Sequence, residues 1–119
     1  MENHKLVLPE HLNHYGYLFG GYLLQWVDEY AWIAATLDYP GCGFVTVAMD
    51  RVEFKQSVKQ GTILRFVVQK QKQGRTSVQY EVNVYRGEQN VDENKDSIFV
   101  TRVTLVRINE QGRKTALPA

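Results

Sequence analysis

The sequence is poor in the features that mark several large functional classes. Cys42 is its single cysteine, which excludes an internal disulfide and a cysteine-rich metal site and points to a reducing, cytoplasmic setting. Charge of neither sign prevails: fourteen Lys and Arg stand against thirteen Asp and Glu, a formal +1. That balance argues against a strongly basic nucleic-acid binder. No apolar run approaches the ~18–20 residues that cross a bilayer, and the opening stretch MENHKLVLPEHL lacks the pattern of a secretory leader. Neither nucleic acid nor membrane is therefore expected as a partner. There is no internal repeat, no Gly-x-Ser-x-Gly elbow and no nucleotide phosphate loop. His11 and His14 are spaced as His-x-x-His, but in a Gly-containing loop without partner cysteines, so no metal site is expected.

What remains is an ordinary globular composition, 44% hydrophobic and 23% charged. The length suits one domain spanning residues 1–119. A chain of this size buries only ~65% of its unfolded surface. With aromatics at 12% of residues, completing the core against a second copy is a natural expectation.

Residues 5–8 read as a short first strand and 10–21 as an irregular Gly-containing loop. Residues 22–38 form the one strong helical signal, with Leu24, Val27, Ala31, Ala34 and Ala35 at helical spacing and Pro40-Gly41 ending it. Its polar residues Gln25, Asp28, Glu29 and Thr36 make one narrow stripe that also holds Trp32, so burial on most sides is expected. After Gly43 the pattern is β: residues 44–54, with a phase switch near Asp50-Arg51 that implies a bulge or bend; 62–73; 75–86, where Val78, Tyr80, Val82 and Val84 alternate with polar residues; a polar hairpin loop at 87–96; and 97–108. Gly112 marks a turn in the polar tail. Short links between successive strands favour an antiparallel sheet, and one helix on such a sheet is an α+β fold.

Two places could carry chemistry. Gly20 and Gly21 precede the helix, whose first turn leaves N–H groups free to receive an anion or a developing oxyanion; equally, the glycines could serve a tight turn and close packing. Asp28 has mostly apolar neighbours and suits a base or a nucleophile, or else it belongs to a solvated stripe with Glu29. A third feature is charge: six basic and no acidic residues fall between Phe54 and Arg75. Strand alternation puts Lys70 and Lys72 on one face near Gly74-Arg75-Thr76-Ser77, where they would either grip a phosphorylated ligand or guard a strand edge.

The ordered set Asn13-x-x-Gly16-x-x-Phe19-Gly20-Gly21, then Trp26-Val27-Asp28, Val45-Thr46-Val47 with Asp50-x-Val52-x-Phe54, Val58-x-x-Gly61, Gly74-Arg75-Thr76-Ser77-Val78, and Phe99-Val100 through Gly112-Arg113, resembles the hotdog-fold acyl-CoA thioesterases over nearly the whole chain. The resemblance implies a long helix wrapped by a curved antiparallel sheet. It also implies a homodimer joined sheet edge to sheet edge, extending in some members to tetramers or hexamers, with active sites at the dimer interface. By position, Asp28 matches the catalytic carboxylate, Asn13 a loop asparagine that acts with it, in some members from the opposite subunit, and Gly20 and Gly21 the oxyanion amides. Arg75, Thr76 and Ser77 match the place where CoA is met. Tyr17 departs from the small polar residue often found there. The resemblance implies no cofactor beyond CoA, which is part of the substrate. An acyl carrier protein thioesterase and a non-catalytic acyl-CoA binding or sensing domain are the alternatives.

Overall fold

The computed structural model describes residues 1–87 and 97–118; the expected hairpin loop 87–96 lies, Gly87 apart, outside them. The elements run β1 (Glu2–Leu6), a 3₁₀ turn (Pro9–His11), α1 (Gly20–Asp38), β2 (Gly43–Phe54), β3 (Ile63–Gln73), β4 (Ser77–Arg86) and β5 (Ser97–Ile108). The five strands form one antiparallel sheet in the order β1-β3-β4-β5-β2. This is the α+β hotdog architecture expected, with α1 packed against one face of the sheet.

The helix starts two residues earlier than its apolar pattern suggests. Phe19 stays extended, and Gly20 and Gly21 form the first helical turn. At the other end the Tyr39 N–H closes on Ala35 O at 2.9 Å, and Gly41, at φ +83°, reverses the chain. Leu23, Trp26, Val27, Ala31, Ala34 and Ala35 face the sheet, and the three alanines let the helix approach its strands closely. There it meets the inward residues of β4, Val78, Tyr80, Val82 and Val84, all buried. Each fully buried Val or Leu contributes roughly 1.5–3 kcal/mol. Tyr80, in this layer, donates its hydroxyl to Asp38 Oδ2 at 2.7 Å, tying β4 to the helix C-terminus.

Burial on most sides of the helix does not hold within one chain. A five-stranded sheet curls only part of the way round, and Tyr22, Trp32 and Leu37 stay uncovered, Leu37 at 67%. The edge strand β2 shares this exposure. Only Phe44 is buried along it, while Val45, Val47, Val52 and Phe54 are exposed.

The bulge expected near Asp50-Arg51 is present. The β2–β5 register shifts between Asp50 and Glu53, and Arg51 adopts φ 54°. A second shift, between Thr46 and Ala48, has no counterpart in the apolar pattern. Strand β1 covers Glu2–Leu6 rather than residues 5–8, because its partner in β3 runs from Ile63 to Val67. Strand β4 begins at Ser77 rather than Arg75, since Gly74 N–H bonds Ser77 O and holds the intervening residues in a turn. Lys70 and Lys72 do not form a pair on one face. A register shift separates them, Lys70 lying over the Tyr39 ring and Lys72 beside Gly74 and Ser77.

Candidate active site

The loop read as irregular is a small closed ladder. His11 O accepts from Phe19 N–H at 2.9 Å, Leu12 bridges Leu18, and Asn13 N–H reaches Tyr17 O at 2.7 Å. Gly16 takes φ +86° at the tip, a conformation other residues adopt at a cost. Leu18 N–H bonds Val58 O and fastens the ladder to the body of the domain. Asn13 Oδ1 accepts from the N–H groups of Tyr15 and Tyr17 at 2.9 and 3.1 Å. The side-chain oxygen thus shapes the loop, leaving the NH₂ group with no acceptor among the described residues.

The ladder delivers the chain to the helix start. The N–H groups of Gly20 and Gly21 have no acceptor among the described residues, as a first helical turn dictates. Gly20 shares a cleft of about 200 Å³ with Asn13, walled by Tyr17, Leu18, Phe54 and Ile98. A Cβ on Gly20 would come within 3.2 Å of the Phe54 ring, and one on Gly21 within 2.7 Å of the Phe19 ring. Both glycines therefore serve close packing. That does not compete with an oxyanion role, because the absent side chains are what keep the amides open.

Asp28 is half-buried, whereas Glu29 is exposed, so the two carboxylates separate as their positions on the stripe imply. Asp28 Oδ1 accepts a 2.6 Å hydrogen bond from the Thr46 hydroxyl on β2. Thr46 was not among the sequence candidates. Its signal was a lone hydroxyl in the Val45-Thr46-Val47 segment, which carries part of the resemblance but gave Thr46 no role. Since β2 is the edge of the sheet, Asp28 is held at the open side of the domain. Two helical turns separate it from Gly20 and Gly21, about 10–12 Å along the axis.

Arg75, Thr76 and Ser77 lie at the other end of the molecule. Tyr39, just past the helix, donates its hydroxyl to Gln73 Oε1 at 2.5 Å next to their turn. Thr76 O accepts from Arg107 N–H, and Arg75 O from Leu117 N–H, so the turn is braced by the end of β5 and the tail. Arg75 is exposed, and Ser77 lines a cleft of about 420 Å³ with Lys72 and Gln79. One chain thus brings Asn13 and Gly20 together, sets Gly21 beside them, and places Asp28 and the Arg75–Ser77 turn apart from them. Among the described residues no three His, Cys, Asp or Glu side chains gather as metal ligands, and no helix is long and apolar enough to cross a membrane.

Comparison with known proteins gives a consistent set of matches. The family model described as the thioesterase superfamily matches residues 15–93. Acyl-coenzyme A thioesterase 11 of Mus musculus is 40% identical over 60 residues, half of this chain and 10% of that protein. An uncharacterized acyl-CoA thioester hydrolase of Zymomonas mobilis is 31% identical over 113 residues, 95% of this chain and 74% of that protein. The chain spans 63% of protein VdlD of Helicobacter pylori, at 30% identity, and so less than two thirds of the first curated relatives it matches. Among solved structures, an acyl-CoA hydrolase of Staphylococcus aureus in complex with butyryl coenzyme A and coenzyme A superposes with a TM-score of 0.87 at 27% identity, over 100% of this chain and 71% of that one. A hexameric acyl-CoA thioesterase superposes at 0.85 with 29% identity, over 99% and 74%.

Proposed function

Since this chain belongs to the thioesterase superfamily, we propose that it hydrolyses acyl-CoA thioesters to the free acid and CoA, at a site completed by a second copy of the chain. One observation carries the reading. Asp28 is fixed by Thr46 at the open sheet edge, while the donors a thioester carbonyl needs, Asn13 and the Gly20 and Gly21 amides, lie two turns away. Edge-to-edge pairing of β2 with its copy would cover Val45, Val47 and Trp32 and bring another chain against Asp28. Such a pair is an isologous dimer, and dimers of this kind can assemble further into tetramers or hexamers. The Staphylococcus aureus hydrolase has been solved with an asparagine, an aspartate and a threonine each replaced by alanine. The present site is built from the same three residue types, and Asn13 and Asp28 stand as far apart in sequence as the asparagine and aspartate altered there.

The chemistry follows from the groups. The Gly20 and Gly21 N–H groups, at the positive end of the helix, receive the carbonyl oxygen as it becomes an oxyanion. Asp28 takes a proton from a water whose oxygen bonds the carbonyl carbon; the C–S bond then breaks and the CoA thiolate leaves with a proton. In the alternative route the Asp28 carboxylate bonds the carbonyl carbon and expels the thiolate, and water then hydrolyses the mixed anhydride. Thr46 orients the carboxylate in either case. Arg75, Thr76 and Ser77 hold the CoA moiety, and no further cofactor takes part. A cytoplasmic setting accords with the one cysteine, which is buried.

The test is release of free CoA thiol from a panel of short, long and aromatic acyl-CoAs by the wild-type chain and by Asp28→Ala. Turnover that falls about 10²–10⁴-fold in the variant, with acyl-CoA still bound, supports the reading. Binding without turnover in the wild type assigns an acyl-CoA sensing domain instead.

A further inference from the structure

We propose that His11 is a positioning residue, a proton-sensitive latch that holds the Asn13 ladder against the helix start; the proposal rests on the functional reading above. The 3₁₀ turn folds His11 back so that its Nδ1 accepts the Leu8 N–H at 3.0 Å. Nδ1 must then carry no proton, which fixes the ring as the neutral tautomer with hydrogen on Nε2. Its main-chain oxygen accepts from Phe19 N–H, the residue that caps α1. His11 is only 7% exposed, and its ring sits edge-on to Tyr22 and Trp26, 5.0 and 4.8 Å between centroids. A single residue thereby joins the entry of the loop and the first two turns of the helix through its side chain, and the loop's exit through its main-chain oxygen, the frame that carries Asn13, Gly20 and Gly21.

The latch and a proton exclude each other. Protonated at Nδ1, the ring presents a second donor to the Leu8 N–H, and the hydrogen bond is lost. The groups packed on the ring do not stabilise the cation by charge. Tyr22 and Trp26 from α1 are neutral, and Lys5 from β1 lies 5.4 Å from the Trp26 ring as a further positive charge. Among the described residues no carboxylate hydrogen-bonds the imidazole. Protonation of the ring therefore loosens the loop and lowers turnover before the fold is lost.

The test is the pH profile of kcat/KM on butyryl-CoA for the full chain, from pH 5 to 9, with two variants. His11→Asn keeps an acceptor for Leu8 N–H but cannot titrate. It is expected to keep its own pH 8 activity toward the acid end of the range, whereas the wild type falls about tenfold once the ring is protonated, the worth of one hydrogen bond. His11→Phe keeps the ring packing without the acceptor and is expected to lose about tenfold at every pH. An acid limb in His11→Asn that superimposes on the wild-type limb overturns the proposal. If the wild type hydrolyses no acyl-CoA, the latch is read directly from the Leu8 and Phe19 amide NMR signals. Signals that move with pH in the wild type and stay fixed in His11→Asn support it even where the functional reading has failed. Signals that move alike in both overturn it.

Discussion

The Thr46 hydroxyl donates to Asp28 Oδ1 at 2.6 Å, joining the edge strand to the third turn of the helix. A carboxylate with one oxygen so held keeps the other free, and its plane is set by the strand rather than by its own rotamer freedom.

Replacing Thr46 with Val keeps the shape and removes the donor. The expected result is a fall in kcat of about 10–100-fold, the range for a hydrogen bond to a charged group, with KM for acyl-CoA little changed. Thr46→Ser should restore most of the rate. A Thr46→Val enzyme with wild-type kcat would show that Asp28 needs no orientation from β2.

How much of this was legible in the sequence differs by element. The helix was legible because its apolar residues recur every three or four positions, and β4 because Val78, Tyr80, Val82 and Val84 alternate with polar residues. The Asp50–Arg51 bend was legible from the phase switch it forces on the side chains. Thr46 was not, because its meaning depends on the β2–α1 contact, which no local pattern carries. The separation of Lys70 from Lys72 was hidden for a related reason: strict alternation puts them together, and only the pairing of β3 with β4 shows the extra residue between them. The ladder from His11 to Phe19 hides behind glycines that, read singly, signal only turns.

Tyr80 gives a stability prediction with a definite sign. Burial, and then the hydrogen bond and charge of Asp38, push its hydroxyl well above the ordinary tyrosine value of 10.0. In the unfolded chain the phenol ionises near pH 10, while the folded chain keeps it protonated. The stability from this group is therefore fully present below about pH 10 and is lost as pH rises beyond it. Tyr80→Phe should cost about 1–2 kcal/mol at neutral pH, and its thermal midpoint should decline less steeply than that of the wild type above about pH 10. Parallel declines in the two proteins would show that the Tyr80–Asp38 contact carries no such linkage.

The uncovered edge of the sheet gives a prediction about assembly. Val47 is 54% exposed on β2, at the register shift after Thr46. Charged side chains on an edge strand are a common block to pairing. Val47→Lys should therefore sediment as a smaller species than the wild type and lose hydrolysis, while its far-UV circular dichroism stays unchanged. An active monomer would remove the need for a second copy.

The division of the site between chains can be tested without a structure of the assembly. Asp28→Ala and Asn13→Ala should each be nearly inactive as pure proteins. In a mixed dimer formed by refolding the two together, a site that takes Asp28 from one chain and Asn13 from the other arises twice. One of these sites carries both substitutions and the other carries neither. Half of the dimers in an equal random mixture are mixed, so about a quarter of wild-type activity should return with isologous pairing. If instead both residues act within one chain, every site in the mixture holds a substitution and nothing returns. The distance of about 10–12 Å along the helix between Asp28 and the glycine amides favours the first outcome, since no single chain presents both to one thioester carbonyl.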